Sequence, residues 1–194
     1  MSAIVPRWEW RSFGDHFGAA EDRLSALSPE RIQESDELYL LSTAANDSVK
    51  VRGGLMDVKR LEQVNDDGLE QWRPVMKAGF PLGAADVGSV LAALGLPAGT
   101  LERTDYTLDQ LLEEVIGRSA QLEAVEVHKR RERYTVGACP GELTDVGADG
   151  KATRTLAIES EDPALVIKAV RELGLESRPN TSYPRGLKAL LGLA

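Results

Sequence analysis

The sequence predicts an α+β fold in which antiparallel strands flank a helical middle, and three observations carry that prediction. Residues 7–13, RWEWRSF, alternate charged with aromatic side chains, setting Arg7, Glu9 and Arg11 on one side and Trp8 and Trp10 on the other. That period of two belongs to a strand. Residues 86–94, and again those after Thr107, repeat their apolar positions with the helical period instead. From residue 123 onward the alternating segments return.

Each element has its own local reason. After the first strand, residues 18–27 give a short helix through Leu24 and Leu27, stopped at Ser28-Pro29. Strands follow at 36–42 (DELYLLS) and 49–52 (VKVR), the latter ending at Gly53-Gly54, so that 55–61 completes a hairpin. The helix at 86–94 buries Val87, Val90, Leu91 and Leu94 on one face and stops at Gly95 and Pro97. Thr107 opens the next one with capping-box spacing to Gln110, ahead of the stripe Leu108, Leu111, Leu112, Val115 and Ile116. Strands at 123–136 and 141–146 lead through an Asp149-Gly150 turn into 153–161. Asp162-Pro163 then caps a helix running to Gly174, and Leu187, Leu190 and Leu191 mark a last short helix.

Composition narrows the class. The 194 residues, 42% hydrophobic, suffice for one well-buried core, and residues 1–194 read as one domain. A lone cysteine, Cys139, excludes an internal disulfide and a cysteine metal cluster. The opening MSAIVPRWEWRSF has no signal-peptide pattern, and no stretch approaches the roughly 20 apolar residues of a membrane span, so a cytoplasmic protein with no membrane partner is expected. A net charge of -8 argues against general nucleic-acid binding. Even so, VKVRGGLMDVKR at 49–60 and KRRER at 129–133 are locally cationic.

The charged strand faces are unusual in carrying paired residues: Glu9 with Arg11, Lys50 with Arg52, Asp57 with Lys59, Glu159 with Glu161. A closed sheet with a charged interior and helices outside would use both faces of such strands. An open sheet with one solvated face would use them too, and alternation alone favours it. Taken singly, Glu159 and Glu161 fit a wet strand face, and KRRER fits an edge strand guarded by charge.

The order of these pieces resembles the CYTH superfamily, the triphosphate tunnel metalloenzymes. Glu9-x-Arg11 stands at the start where the family has ExExK. Lys50-x-Arg52, Asp57-x-Lys59 and Glu70 follow, then Lys129-x-Arg131 with Tyr134, Leu143-Thr144-Asp145, Glu159-x-Glu161 and Ser182-Tyr183. The ELTDV and NTSYPRGLK runs look nearest to an exopolyphosphatase-like bacterial branch. The resemblance implies an antiparallel β-barrel or tunnel of about eight strands, with a charged interior and a helical cover. It also implies a phosphate clamp of Arg11, Lys50, Arg52, Lys59, Lys129 and Arg131, metal ligands Glu9, Glu70, Glu159 and Glu161, and a catalytic set of Glu9, Lys59 and Asp145. Carboxylate oxygens suit Mg²⁺ or Mn²⁺. One departure stands out: Arg7 occupies the place of the first glutamate of ExExK.

The function so implied is metal-dependent hydrolysis of a triphosphate, whether inorganic tripolyphosphate, polyphosphate or an organic triphosphate. A polyphosphate- or phosphometabolite-binding module without turnover shares the same clamp, and Arg7 favours it. Cyclisation of ATP, as in the class IV adenylate cyclases of the superfamily, needs an adenine site that the sequence does not locate. The partner expected is therefore a small or polymeric phosphate, with a homodimer left open.

Overall fold

A computed structural model describes residues 5–193, and eight of its strands close into an antiparallel barrel. In chain order these are β1 (Arg7–Gly14), β2 (Arg31–Ser42), β3 (Ser48–Arg52), β4 (Leu55–Val64) and β5 (Glu70–Gly79), with a two-stranded ribbon, β6 (Leu82–Gly83) and β7 (Asp105–Tyr106), beside them. Next come β8 (Leu122–Val136), β9 (Cys139–Ala148) and β10 (Lys151–Ser160). Around the barrel the order is β1-β10-β9-β8-β2-β3-β4-β5, and pairing of β5 with β1 shuts the ring. The charged strand faces thus line a closed sheet rather than one side of an open one.

Tight turns hold the hairpins in register. Gly53 and Gly54 at φ 57° and 73° form the β3–β4 turn, where two positive φ angles match the twist of the strands. The strand over Glu70–Gly79 is absent from the sequence reading, and Pro74 is the reason: a residue without an N–H is a poor central-strand candidate. Here Pro74 lies opposite Lys59 while Val58 pairs with Met76, so Val75 is the extra residue of a bulge that accommodates the proline.

Helices cover the outside. Trp8 and Trp10 of β1, with Leu156 and Ile158 of β10, pack against α1 (Ala19–Leu27) and Val166, Ala169, Val170 and Leu173. The last four lie on α4 (Pro163–Leu173), started by the Asp162 carboxylate accepting from Ala164 N–H at 2.9 Å. On the far side, Val49, Val51, Met56 and Val58 meet α2 (Ala84–Ala93) and Leu111 of α3 (Leu108–Leu111), which the Thr107 capping box begins and a π turn over Leu112–Ile116 continues.

The final helix, α5 (Tyr183–Leu191), sits differently. Its Tyr183 and Leu187 join Tyr39, Leu41, Val125, Val127, Val146 and Ala148, which lie on the inward faces that elsewhere carry Glu37, Lys129 and Glu142. One end of the barrel is therefore filled by α5. Close approach requires a glycine there, because a Cβ on Gly186 would fall inside the van der Waals envelope of the Phe13 ring. Gly186→Ala is expected to destabilise the protein by about 1–3 kcal/mol, the usual cost of overpacking, measured by chemical denaturation. Unchanged stability would mean that the ring turns aside freely.

Candidate functional site

Above α5 the barrel interior opens into a cavity of about 350 Å³. Seven of its lining residues are cationic and four are carboxylates, in a chain whose net charge is -8. Alternation places them: β1 contributes Glu9 and Arg11, β3 Lys50 and Arg52, β4 Lys59, β8 Lys129 and Arg131, β9 Glu142 and β10 Glu159. The expected phosphate-binding set, Arg11, Lys50, Arg52, Lys59, Lys129 and Arg131, is thus brought to one cavity in full.

At its base lies a carboxylate that the sequence reading did not single out. Glu37 has no exposed side-chain surface and is shared by Lys50 Nζ at 2.9 Å, Lys129 Nζ at 3.0 Å and the Arg131 guanidinium. Burial alone would raise its pKa, but Lys129, Lys50 and Arg131 hold it well below the usual carboxylate range. Burial, with the charge of Lys50 beside it, pushes the Lys129 ammonium down in turn. Lys129 also donates to Tyr39 Oη at 2.7 Å and lies 3.6 Å from the ring centre of Tyr183.

A second missed carboxylate, Glu142, faces Arg11 at 3.8 Å and Arg131 at 3.7 Å. Asp145 of the same ELTDV run, expected in the catalytic set, does not reach the cavity. Glu142 and Thr144 point inward, whereas Asp145 stands on the other face of β9, bonded to Arg154 at 2.7 Å and near Arg130. A carboxylate outside the barrel has no route to a ligand within it. Arg131, the arginine of KRRER expected in the clamp, is the inward one, whereas Arg130 bonds Glu132 at 2.6 Å on the outer face.

The expected metal ligands divide. Glu9 pairs directly across β1–β10 with Glu159 and across β1–β5 with Glu70, so the three carboxylates form one row over adjacent strands. Each is held by an arginine: Glu9 by Arg11 at 3.0 Å, Glu159 by Arg7 at 2.9 Å, and Glu70 by Arg185 of α5. Burial tends to raise the Glu9 pKa, but Arg11, Lys59 and Lys50 bring it below its ordinary value. Burial wins at Glu70, which is raised despite Arg185. Glu161 is a correction, since β10 ends at Ser160 and Glu161 stands exposed in the bend beyond it, away from the cavity lining. Arg7 shares the face of Glu9, as its spacing implied, but at the half-exposed mouth.

No family model and no curated protein matches the sequence. Among solved structures, the PH1012 protein of Pyrococcus horikoshii OT3 is similar with a TM-score of 0.51 at 19% identity, covering 92% of this chain and 97% of that one. A Bacillus halodurans protein described as a candidate adenylate cyclase aligns with a TM-score of 0.50 at 12% identity, covering 92% and 96%. At such identities the likeness is one of fold. Fold and cavity define a closed antiparallel barrel of eight strands with a buried cationic pocket and a helical cover, which is the architecture expected from the sequence. Among the described residues no helix is long and apolar enough to cross a membrane.

Proposed function

We propose that the protein binds a short phosphate chain, inorganic tripolyphosphate or the triphosphate of an organic molecule, and hydrolyses its terminal anhydride with Mg²⁺ or Mn²⁺. The observation that carries this reading is the excess of cations over carboxylates in the cavity of an otherwise acidic chain. A triphosphate carries about four negative charges, and a site of low dielectric holds it by matching them. A cavity of about 350 Å³ with α5 beneath it suits a short chain or the end of a longer one, entering from the open mouth.

The Glu70–Glu9–Glu159 row fits a hard divalent cation by the chemistry of its oxygens. Among the described residues no group of three His, Cys, Asp or Glu side chains is disposed to hold a metal, and each carboxylate of the row is bonded to an arginine. A cation bound by the row would neutralise charge on the phosphate oxygens. The chain's own residues do the rest. Arg11 and Arg131 offer planar forks to phosphate oxygens, and Lys50 and Lys129 add point charges below them. Water attacks the terminal phosphorus, its oxygen forms the new P–O bond while its proton passes to solvent at the open mouth, and the anhydride P–O bond breaks. The departing oxygen keeps the electron pair, which the cationic lining stabilises.

The test is orthophosphate release from tripolyphosphate with Mg²⁺ or Mn²⁺, with ATP as competitor and EDTA as control. Metal-dependent release is expected, and full turnover in excess EDTA overturns the mechanism. Binding without release would support the second reading, a phosphate-binding module, which the pairing of all three row carboxylates with arginine favours.

A further inference from the structure

We infer that Glu37 is the resident counter-anion of the pocket, a positioning residue that holds Lys50, Lys129 and Arg131 converged when no ligand is bound and thereby sets the affinity for anions. This rests on the reading of the cavity as an anion site. The geometry is specific. Glu37 sits on β2 between β3 and β8, which supply the three cations, and one carboxylate oxygen takes both lysines while the other takes Arg131 and accepts from Ser35 Oγ at 3.4 Å. Its side chain has no exposed surface, whereas Lys50, Lys129 and Arg131 reach past it to line the cavity.

Three cations packed without a counter-charge would repel one another and bear a large desolvation cost. Glu37 offsets part of that cost in the empty protein. It also spends part of the cationic field that an entering phosphate would otherwise meet, so ligand and Glu37 compete for the same three heads. Two consequences of opposite sign follow from one side chain: Glu37 stabilises the empty fold and weakens anion binding. A residue with only a packing role would lose both stability and affinity when replaced.

The experiment compares wild type with Glu37→Gln, which keeps shape and removes charge. Thermal unfolding is followed with and without tripolyphosphate, and isothermal titration with tripolyphosphate is run without metal. The variant is expected to melt at lower temperature when empty, to gain more from tripolyphosphate than wild type does, and to bind it at least tenfold more tightly. Affinity within twofold of wild type, or weaker, overturns the inference while leaving the anion site intact. Wild type that binds neither tripolyphosphate nor pyrophosphate overturns the anion site itself. Should the variant not fold alone, its recovery in folded form with millimolar tripolyphosphate supports the counter-anion role, and failure to fold even then overturns it.

Discussion

Arg131→Met is expected to weaken metal-free binding of tripolyphosphate by roughly 30- to 150-fold, or about 2–3 kcal/mol, near the upper range for hydrogen bonds to a charged group. Arg131 is 4% exposed, donates to Ser35 Oγ at 2.8 Å, bonds Glu37 and lies 3.7 Å from Glu142, so its fork is aimed before any ligand arrives. Methionine fills a similar length without charge, which keeps packing and isolates the electrostatic loss. The control is one residue away. Arg130 is bonded to Glu132 and turned outward, so Arg130→Met should leave the affinity unchanged. Titration calorimetry on both variants decides the strand's phase, since a larger loss at Arg130 would reverse it.

That one-residue distinction separates what was legible in the sequence from what was not. In β1 the partner residues are tryptophans, so the alternation of RWEWR leaves no doubt about which side faces the helices, and Trp8 and Trp10 do pack beneath α4. In β8 the run KRRER has charge on both faces, and only pairing with β2 and β9 fixes its phase. Asp36 and Glu37 pose the same problem: adjacent carboxylates look alike until register sends one to His128 on the exposed face and the other under three cations. Asp145 and Glu142 pose it again on β9. Leu143 is the outward core residue of β9, and its neighbours Glu142 and Thr144 are therefore the inward ones, but Val146 of the same run is apolar and inward beside α5, so the apolar positions alone point both ways. Glu161 differs for another reason, since the alternation extends one residue past the end of β10 and of its hydrogen bonding at Ser160. The carboxylate row depends on the β1–β5 closure and so on β5, which Pro74 concealed. The order of the motifs reached the cation set, including Lys129 and Arg131 on the 15-residue β8, while Glu37 beneath it and Glu142 beside it needed the tertiary register.

Glu9→Gln is expected to lower metal-stimulated phosphate release on the order of 100-fold while leaving metal-free binding of tripolyphosphate undiminished. Glu9 is the middle of the row, directly opposite Glu159 on one side and Glu70 on the other, so no pair of the remaining carboxylates is adjacent once its charge is gone. A hard cation would keep only separated anionic donors, and the loss should fall on kcat and on the metal concentration needed for half-activation. Binding of the anion moves the other way. Arg11 Nε now donates to Glu9 at 3.0 Å, and glutamine remains an acceptor but no longer offsets the guanidinium charge, which is then more available to phosphate. Glu161→Gln is the matched comparison, because the residue lies exposed beyond β10 and should have no effect on either quantity. Turnover assays across a Mg²⁺ or Mn²⁺ series, paired with calorimetry in EDTA, read both halves. If Glu9→Gln retains full metal-stimulated turnover, the cation is held elsewhere than on the row, and Glu9 serves only as the partner of Arg11.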